Sequence, residues 1–242
     1  MRDYFRAAAS AFYEDTGLTP KSASTPAPAD IPLPEVLALI KLPGVYNEDA
    51  AHYLMKLLYG ARIAAPWLIV PVQRLASRVH SWNGECDRRL VRLHDFIYGS
   101  PDLVLAGVLS DLDADALELH LWPDADFNGD IMHAKSTGGM LLELAGLGGR
   151  GVPLFYGCRK MDGASMRTPE AETVSLATYT RNEGLPMQDL FTLLLGRSIK
   201  LVTREDNEAA IAIIRKGYAP SLGCIPRTQR CSLDVVHDTD FG

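Results

Sequence analysis

The residues of this chain best placed to do chemistry are acids. Asp124 and Asp126 lie in WPDADFNGD, Glu172 lies in TPEAET, and Asp206 follows SIKLVTRE. In ALELHLW, Leu117, Leu119 and Leu121 alternate with Glu118, His120 and Trp122, the period-two pattern of a half-buried strand. Asp124 and Asp126 therefore fall at a strand end. Thr168-Pro169 has the form of a cap followed by proline at the first helical position, which puts Glu172 in a first helical turn. Asp206 stands just past a second strand. Two strand-end acids and one helix-start acid converge when the strands are neighbours and the helix packs over them. Crowded carboxylates raise one another's pKa and need a cation to stay ionised. Carboxylate oxygen is the donor that Mg²⁺ prefers, and such ions can activate water and stabilise the leaving oxygen of a phosphodiester. Each acid taken singly also fits a plainer role, favouring a helix N-terminus or keeping a strand end soluble.

Positioning the acids calls for a sheet with helices around it. LVLAGVL (103–109) reads as a strand. GGMLLELAG (138–146) and VPLFYGCRK (152–160) give two more, with LGGRG between them as a hairpin turn. SIKLVT (198–203) is a further strand, and Asn207 to Arg215 a helix. From Ala116 onward the order is three adjacent strands, helix, strand, helix. That predicts an α/β domain whose mixed sheet is an antiparallel meander plus a parallel strand reached by a βαβ-like crossover, with flanking helices. Gly184 and Pro186 interrupt the helix that Thr168 opens. At about 1 and about 3 kcal/mol in a helix interior, they predict a break near Glu183.

Upstream, the spacing of Tyr4, Phe5, Ala8, Phe12 and Tyr13 predicts a helix over 1–16, with Gly17 as its stop. Residues 17–46 are rich in Pro, Ala and Ser and read as an extended linker. Residues 47–100 form a helical segment with three helices: one capped by Asn47 and running to about Ala61, one from Pro66 to near His80, and one from about Glu85 to Tyr98. Arg88, Arg89 and Arg92 on the last of these are either a solvated face or contacts to a nucleic-acid backbone. The α/β domain then occupies 101–242.

Composition excludes several classes. The 242 residues carry a net charge of -6, which argues against a protein that coats nucleic acid without selectivity and leaves room for one local basic groove. No apolar run is long enough to span a bilayer, and the N-terminus lacks the apolar core of a signal peptide. The expectation is a soluble intracellular chain, cytoplasmic or nuclear, with no membrane partner. Cys86, Cys158, Cys224 and Cys231 show no CxxC pairing, so reduced thiols are expected in place of zinc ligands or disulfides.

The wording of the acidic motifs resembles the ribonuclease H region of copia-type retrotransposon polyproteins. DADFNGD followed by KSTGG resembles DADWAGD…RSTSG; TPEAET resembles STEAEY; EDNEAAIAI resembles CDNQSAIAL; and RTQR (227–230) resembles RTKH. Upstream, AHYLMKLLYGARIAAPWLIVPVQRLASRVHSWN resembles the segment that precedes the nuclease, and PKSASTPAPA resembles the tether KPVSTPLPPG. The resemblance spans nearly the whole chain, starting after the fingers and palm of the reverse transcriptase, and no YxDD polymerase motif is present.

The resemblance implies a ribonuclease H-like fold preceded by a thumb or connection segment. It implies a metal-dependent endonuclease that hydrolyses the RNA strand of RNA–DNA hybrids with Mg²⁺ or Mn²⁺, and no polymerase activity. Asp124, Glu172 and Asp206 would be the catalytic metal ligands. Asp126 and Glu170 would be their neighbours, with outer roles. Lys135, Arg159, Asn207 and Arg227 would be candidate nucleic-acid contacts. The polymerase part of the same polyprotein would be a further partner. The chain departs from the family in three respects. It stops at Gly242 before the family's last strand and ADxxTK acid, for which Asp234, Asp238 or Asp240 would have to substitute. Gly184 and Pro186 interrupt a helix, and EDN stands in place of CDN, which sets a charge beside a ligand. These departures fit a truncated or divergent copy, and the alternative to a nuclease is a catalytically silent ribonuclease H-like module for nucleic-acid binding or assembly.

Overall fold

Apolar residues at three-and-four spacing near the N-terminus form helix α1, Arg2–Thr16, closed by Gly17 at φ 67°. A computed structural model describes residues 1–100, 102–126, 136–161 and 168–216, and the backbone of 240–241. The chain divides into two units, Met1–Leu105 and Ala106–Gly242.

The first unit is helical: α1, α2 (Leu33–Lys41), α3 (Ala50–Ala64), α4 (Pro66–Ala76), a 3₁₀ turn at Val79–Ser81 and α5 (Gly84–Gly99). Phe12, Leu54, Leu57, Leu68, Leu75, Leu90 and Leu93 are fully buried in it. Phe12 stacks on the buried imidazole of His94, ring centroids 3.8 Å apart. Burial pushes His94 down to about 4, while the Leu90 carbonyl, 2.9 Å from Nδ1, works the other way.

Three expectations for this unit need correction. The stretch read as an extended linker contains α2, because Pro34 sits in its first turn, where a missing N–H costs nothing. Helix α3 starts three residues after Asn47, with Asp49 at its N-cap position. The arginines of α5 are structural: Arg88 and Arg89 both bond the buried Glu85 carboxylate at 2.7 Å, and Arg92 donates to the Thr25 carbonyl at 2.9 Å. The α5 N-cap is Asn83, whose side-chain oxygen accepts from the backbone of Glu85 and Cys86.

The second unit is built on the sheet β3-β2-β1-β4-β5, with β1 (Glu118–Asp126), β2 (Thr137–Ala145), β3 (Gly151–Lys160), β4 (Lys200–Thr203) and β5 (Asp240–Phe241). β1–β2 and β2–β3 are antiparallel, β1–β4 and β4–β5 parallel. The sheet is therefore mixed, a meander continued by a crossover. The hairpin turn between β2 and β3 has Gly148 at φ 64° and Gly149 at φ 76°, which is why glycine is needed there. Buried Asp113 braces the entry to β1. Its carboxylate accepts from Ser110 and the Leu147 backbone and forms a two-pronged ion pair with Arg150, which holds it well below the usual carboxylate range.

Helix α6 (Thr168–Tyr179), a π-helical turn at Thr180–Gly184 and α7 (Leu185–Leu195) lie between β3 and β4, and α8 (Glu208–Lys216) follows β4. The core under them is Leu119, Leu121, Leu142, Leu176, Ile199 and Leu201.

Here too the structure amends the sequence reading. Residues 103–109 form no strand; Leu103, Val104 and Val108 are exposed, and only Val108 makes a bridge, to Gly151. The break expected near Glu183 is the π turn. It absorbs Gly184 and sets Pro186 in the first turn of α7, so the helical path continues. β5 is two residues long and pairs with Val202 and Thr203. Among the described residues no helix is long and apolar enough to cross a membrane.

Candidate functional site

Parallel pairing of β1 with β4 decides where the acids fall. Leu119 pairs with Leu201 and Leu121 with Thr203, and the Arg204 amide extends the ladder to the Leu121 carbonyl at 2.8 Å. Asp124 lies three residues past Leu121 and Asp206 three past its partner Thr203, the last pair of this ladder. Both acids are exposed. Glu205 lies two residues past the end of β4. It is 8% exposed.

Glu172 comes from α6, a helix buried on nearly every side. Two hydroxyls pin that helix to the sheet. Ser175 donates to the Asp124 carbonyl at 2.9 Å, and Tyr179 donates to the Gly138 carbonyl at 2.7 Å. Gly138 permits the approach: a Cβ there would lie 2.9 Å from the Ser175 hydroxyl. Glu172, one turn before Ser175, is 5% exposed and is bonded by the Ala125 amide.

The four acids Asp124, Glu172, Glu205 and Asp206 share one electrostatic neighbourhood. Burial pushes Glu172 up to about 8, with further contributions from the charges of Glu205, Asp124 and Asp206. Burial also pushes Glu205 up to about 7, helped by Asp206 and Asp124 and partly offset by the amides of Asn207 and Asp206. One oxygen of each buried acid, Oε2, has no hydrogen-bond partner. The hydroxyl oxygens of Ser136, Thr180 and Thr203 are buried in the same way.

The donor set is all carboxylate oxygen, which suits a hard divalent cation. Among the described residues no three acid, imidazole or thiol groups stand together closely enough to hold one ion. Asp124 and Asp206 are exposed, whereas Glu172 and Glu205 are buried.

Of the remaining expected site residues, Glu170 is buried and Asp126 half-buried. Arg159 is exposed, its guanidinium 6.0 Å from the centre of the Tyr179 ring. Asn207 caps α8, its side-chain oxygen accepting from the Ala209 and Ala210 amides at 3.1 Å. Lys135, Arg227, Asp234 and Asp238 lie outside the described residues, as do Cys224 and Cys231; Asp240 is described in backbone only. Cys86 is buried and Cys158 half-buried. Glu205, electrostatically joined to Asp124 and Asp206, was not among the expected site residues; its signal was the acid in EDN where the resembling motif has Cys.

No protein-family model matches the chain, and no curated protein sequence matches it.

Proposed function

We propose that the second unit is a ribonuclease H-like, divalent-cation-dependent endonuclease acting on the RNA strand of RNA–DNA hybrids, in a chain derived from a copia-type retrotransposon polyprotein. The reading is supported by the parallel pairing of β1 with β4, beyond whose last pair, Leu121 with Thr203, Asp124 and Asp206 each follow three residues on, and by the electrostatic coupling of Glu172 to both acids. The sheet order and the helix between β3 and β4 are compatible with that fold. Asp124, Glu172 and Asp206 would hold Mg²⁺ or Mn²⁺. When bound, the ion would polarise a phosphate and lower the pKa of water.

The chain's own residues supply the rest. Ser175 and Tyr179 fix α6, so that Glu172 enters from the buried side. Asp124 and Asp206 face solvent, where a sugar–phosphate strand can approach. Arg159 is a cation available to the hybrid backbone, and such duplexes are gripped by shape, phosphates and 2′-hydroxyls with little base reading. The polymerase portion of a parent polyprotein is the natural partner on this reading.

Purified protein with Mg²⁺ or Mn²⁺ should cleave a labelled RNA–DNA hybrid, and Asp124→Asn should abolish cleavage. Undiminished cutting by the Asp124→Asn protein would remove the assignment. A second reading, a catalytically silent hybrid-binding module, is favoured by the spread of the acids among the described residues. Hybrid binding by the wild type with neither Mn²⁺ uptake nor cleavage would decide for it.

A further inference from the structure

We propose that Thr25 is a phosphorylation site for a proline-directed kinase, and that Arg92, with Arg88 one turn before it on α5, receives the phosphate. The inference concerns the helical unit and does not depend on the reading of the second.

Four hydroxyl residues of the chain precede a proline: Thr19, Thr25, Ser100 and Thr168. Ser100 closes α5 and Thr168 opens α6, so both belong to helix ends. Thr19 and Thr25 are exposed in the stretch between α1 and α2. Among the described residues, no main-chain group from 18 to 31 bonds another main-chain group. Of the four, Thr25 is the one whose hydroxyl a guanidinium bonds. Arg92 Nη2 donates to that hydroxyl at 2.9 Å while its Nε donates to the Thr25 carbonyl at 2.9 Å. Arg88 Nη1 donates to the Ala29 carbonyl at 3.3 Å, and the Thr25 hydroxyl donates to the Ala27 carbonyl at 2.8 Å. All four bonds are exposed, so a kinase cleft can draw out the residues around Thr25 without opening the core.

The charge on this side of α5 favours an anion. Glu85 binds Arg88 and Arg89, which leaves Arg92 to the segment. Within residues 17–32 the one acid, Asp30, is offset by Lys21. A bond from Nε to the carbonyl would by itself hold the segment; the second prong sets a charged donor at the very atom that would be modified. Transfer from a nucleoside triphosphate forms an Oγ1–P bond as the bond to the departing diphosphate breaks, and the hydroxyl proton passes to the kinase's catalytic carboxylate. The phosphate then replaces a neutral acceptor opposite Arg92, and charge-assisted bonds replace a neutral one, tightening the segment on α5.

The test treats the full chain with a mitogen-activated protein kinase and MgATP, comparing wild type, Thr25→Val and Arg92→Gln. Mass spectrometry should place a phosphate on Thr25 in the tryptic peptide 22–41 of the wild type, and none in that peptide of Thr25→Val. By ³¹P NMR the phosphothreonine should titrate below about 6, the ordinary second pKa of a phosphate, and return to about 6 in Arg92→Gln. Arg92→Lys keeps the charge and should keep most of the shift. The melting temperature should rise by about 4 °C on phosphorylation of the wild type and stay level in Arg92→Gln. Absence of phosphate from Thr25, or phosphate on Thr19 alone, overturns the site. A phosphothreonine that titrates alike in wild type, Arg92→Gln and Arg92→Lys overturns the role of Arg92.

Discussion

The Ser175 hydroxyl donates to the main-chain carbonyl of Asp124 across 2.9 Å, joining the middle of α6 to the end of β1. One bond therefore couples the position of a helix-borne acid to that of a strand-borne one. Glu172 lies one turn before Ser175, and the Ala125 amide that bonds Glu172 follows Asp124 in the chain. Helix and strand are stitched together in both directions, the Ser175 hydroxyl to the strand and the strand's Ala125 amide to Glu172.

Loosening that stitch should cost stability before it costs chemistry. Ser175→Ala should lose about 1 kcal/mol in urea denaturation, the usual worth of one hydrogen bond. Gly138→Ala forces a Cβ to within 2.9 Å of the Ser175 hydroxyl and 3.3 Å of Met161 and Tyr179, and should lose about 1–3 kcal/mol. A Gly138→Ala protein as stable as the wild type would show that α6 is not held at this distance.

His94 should make the helical unit acid-sensitive. Its folded-state pKa, about 4, stands below the ordinary 6.5 because burial opposes its charge. The unfolded chain then binds a proton that the folded one refuses, so stability is full above about pH 6.5 and declines towards about pH 4, by roughly 3 kcal/mol in all. Urea melts across that window on wild type and His94→Gln would check it. An equal decline in both would acquit His94.

Glu85 is 1% exposed and is clamped by Arg88 and Arg89. Burial pushes its pKa up, and the two guanidinium bonds outweigh that, for a net lowering. Glu85→Gln discards the charge between two arginines and should destabilise the helical unit by about 2–3 kcal/mol, the scale of hydrogen bonds to charged groups. Thermal melting by circular dichroism measures it. A change below the resolution of the melt would mean the pair acts only as surface charge.

Arg159 offers the cleanest probe of nucleic-acid contact. Arg159→Ala should leave the melting temperature nearly unchanged, because the side chain is exposed. Hybrid affinity should fall, and the dependence of log affinity on log salt should flatten by about one unit, as when one phosphate contact is lost. An unchanged salt slope would place the hybrid elsewhere.

Local patterns in the chain were enough to set out most of its elements. Alternation in ALELHLW gave β1, Thr168-Pro169 gave the start of α6, and the glycines of LGGRG gave the β2–β3 turn, because each depends on a few neighbouring residues. The motif wording singled out Asp124, Glu172 and Asp206 for the same reason. Where packing decides, the local signal failed. The apolar run 103–109 stayed outside the sheet, Arg88 and Arg89 turned to a buried acid, and Gly184 with Pro186 made a π turn where a break was expected.

The charge pattern of EDN could be read along the chain, but the burial of Glu205 could not. That burial depends on how the chain after β4 packs once β4 lies beside β1, a pairing between residues some eighty positions apart. Order along the polymer specifies which side chains exist and which local shapes they favour. Which carboxylates are buried is set only when the strands choose their neighbours.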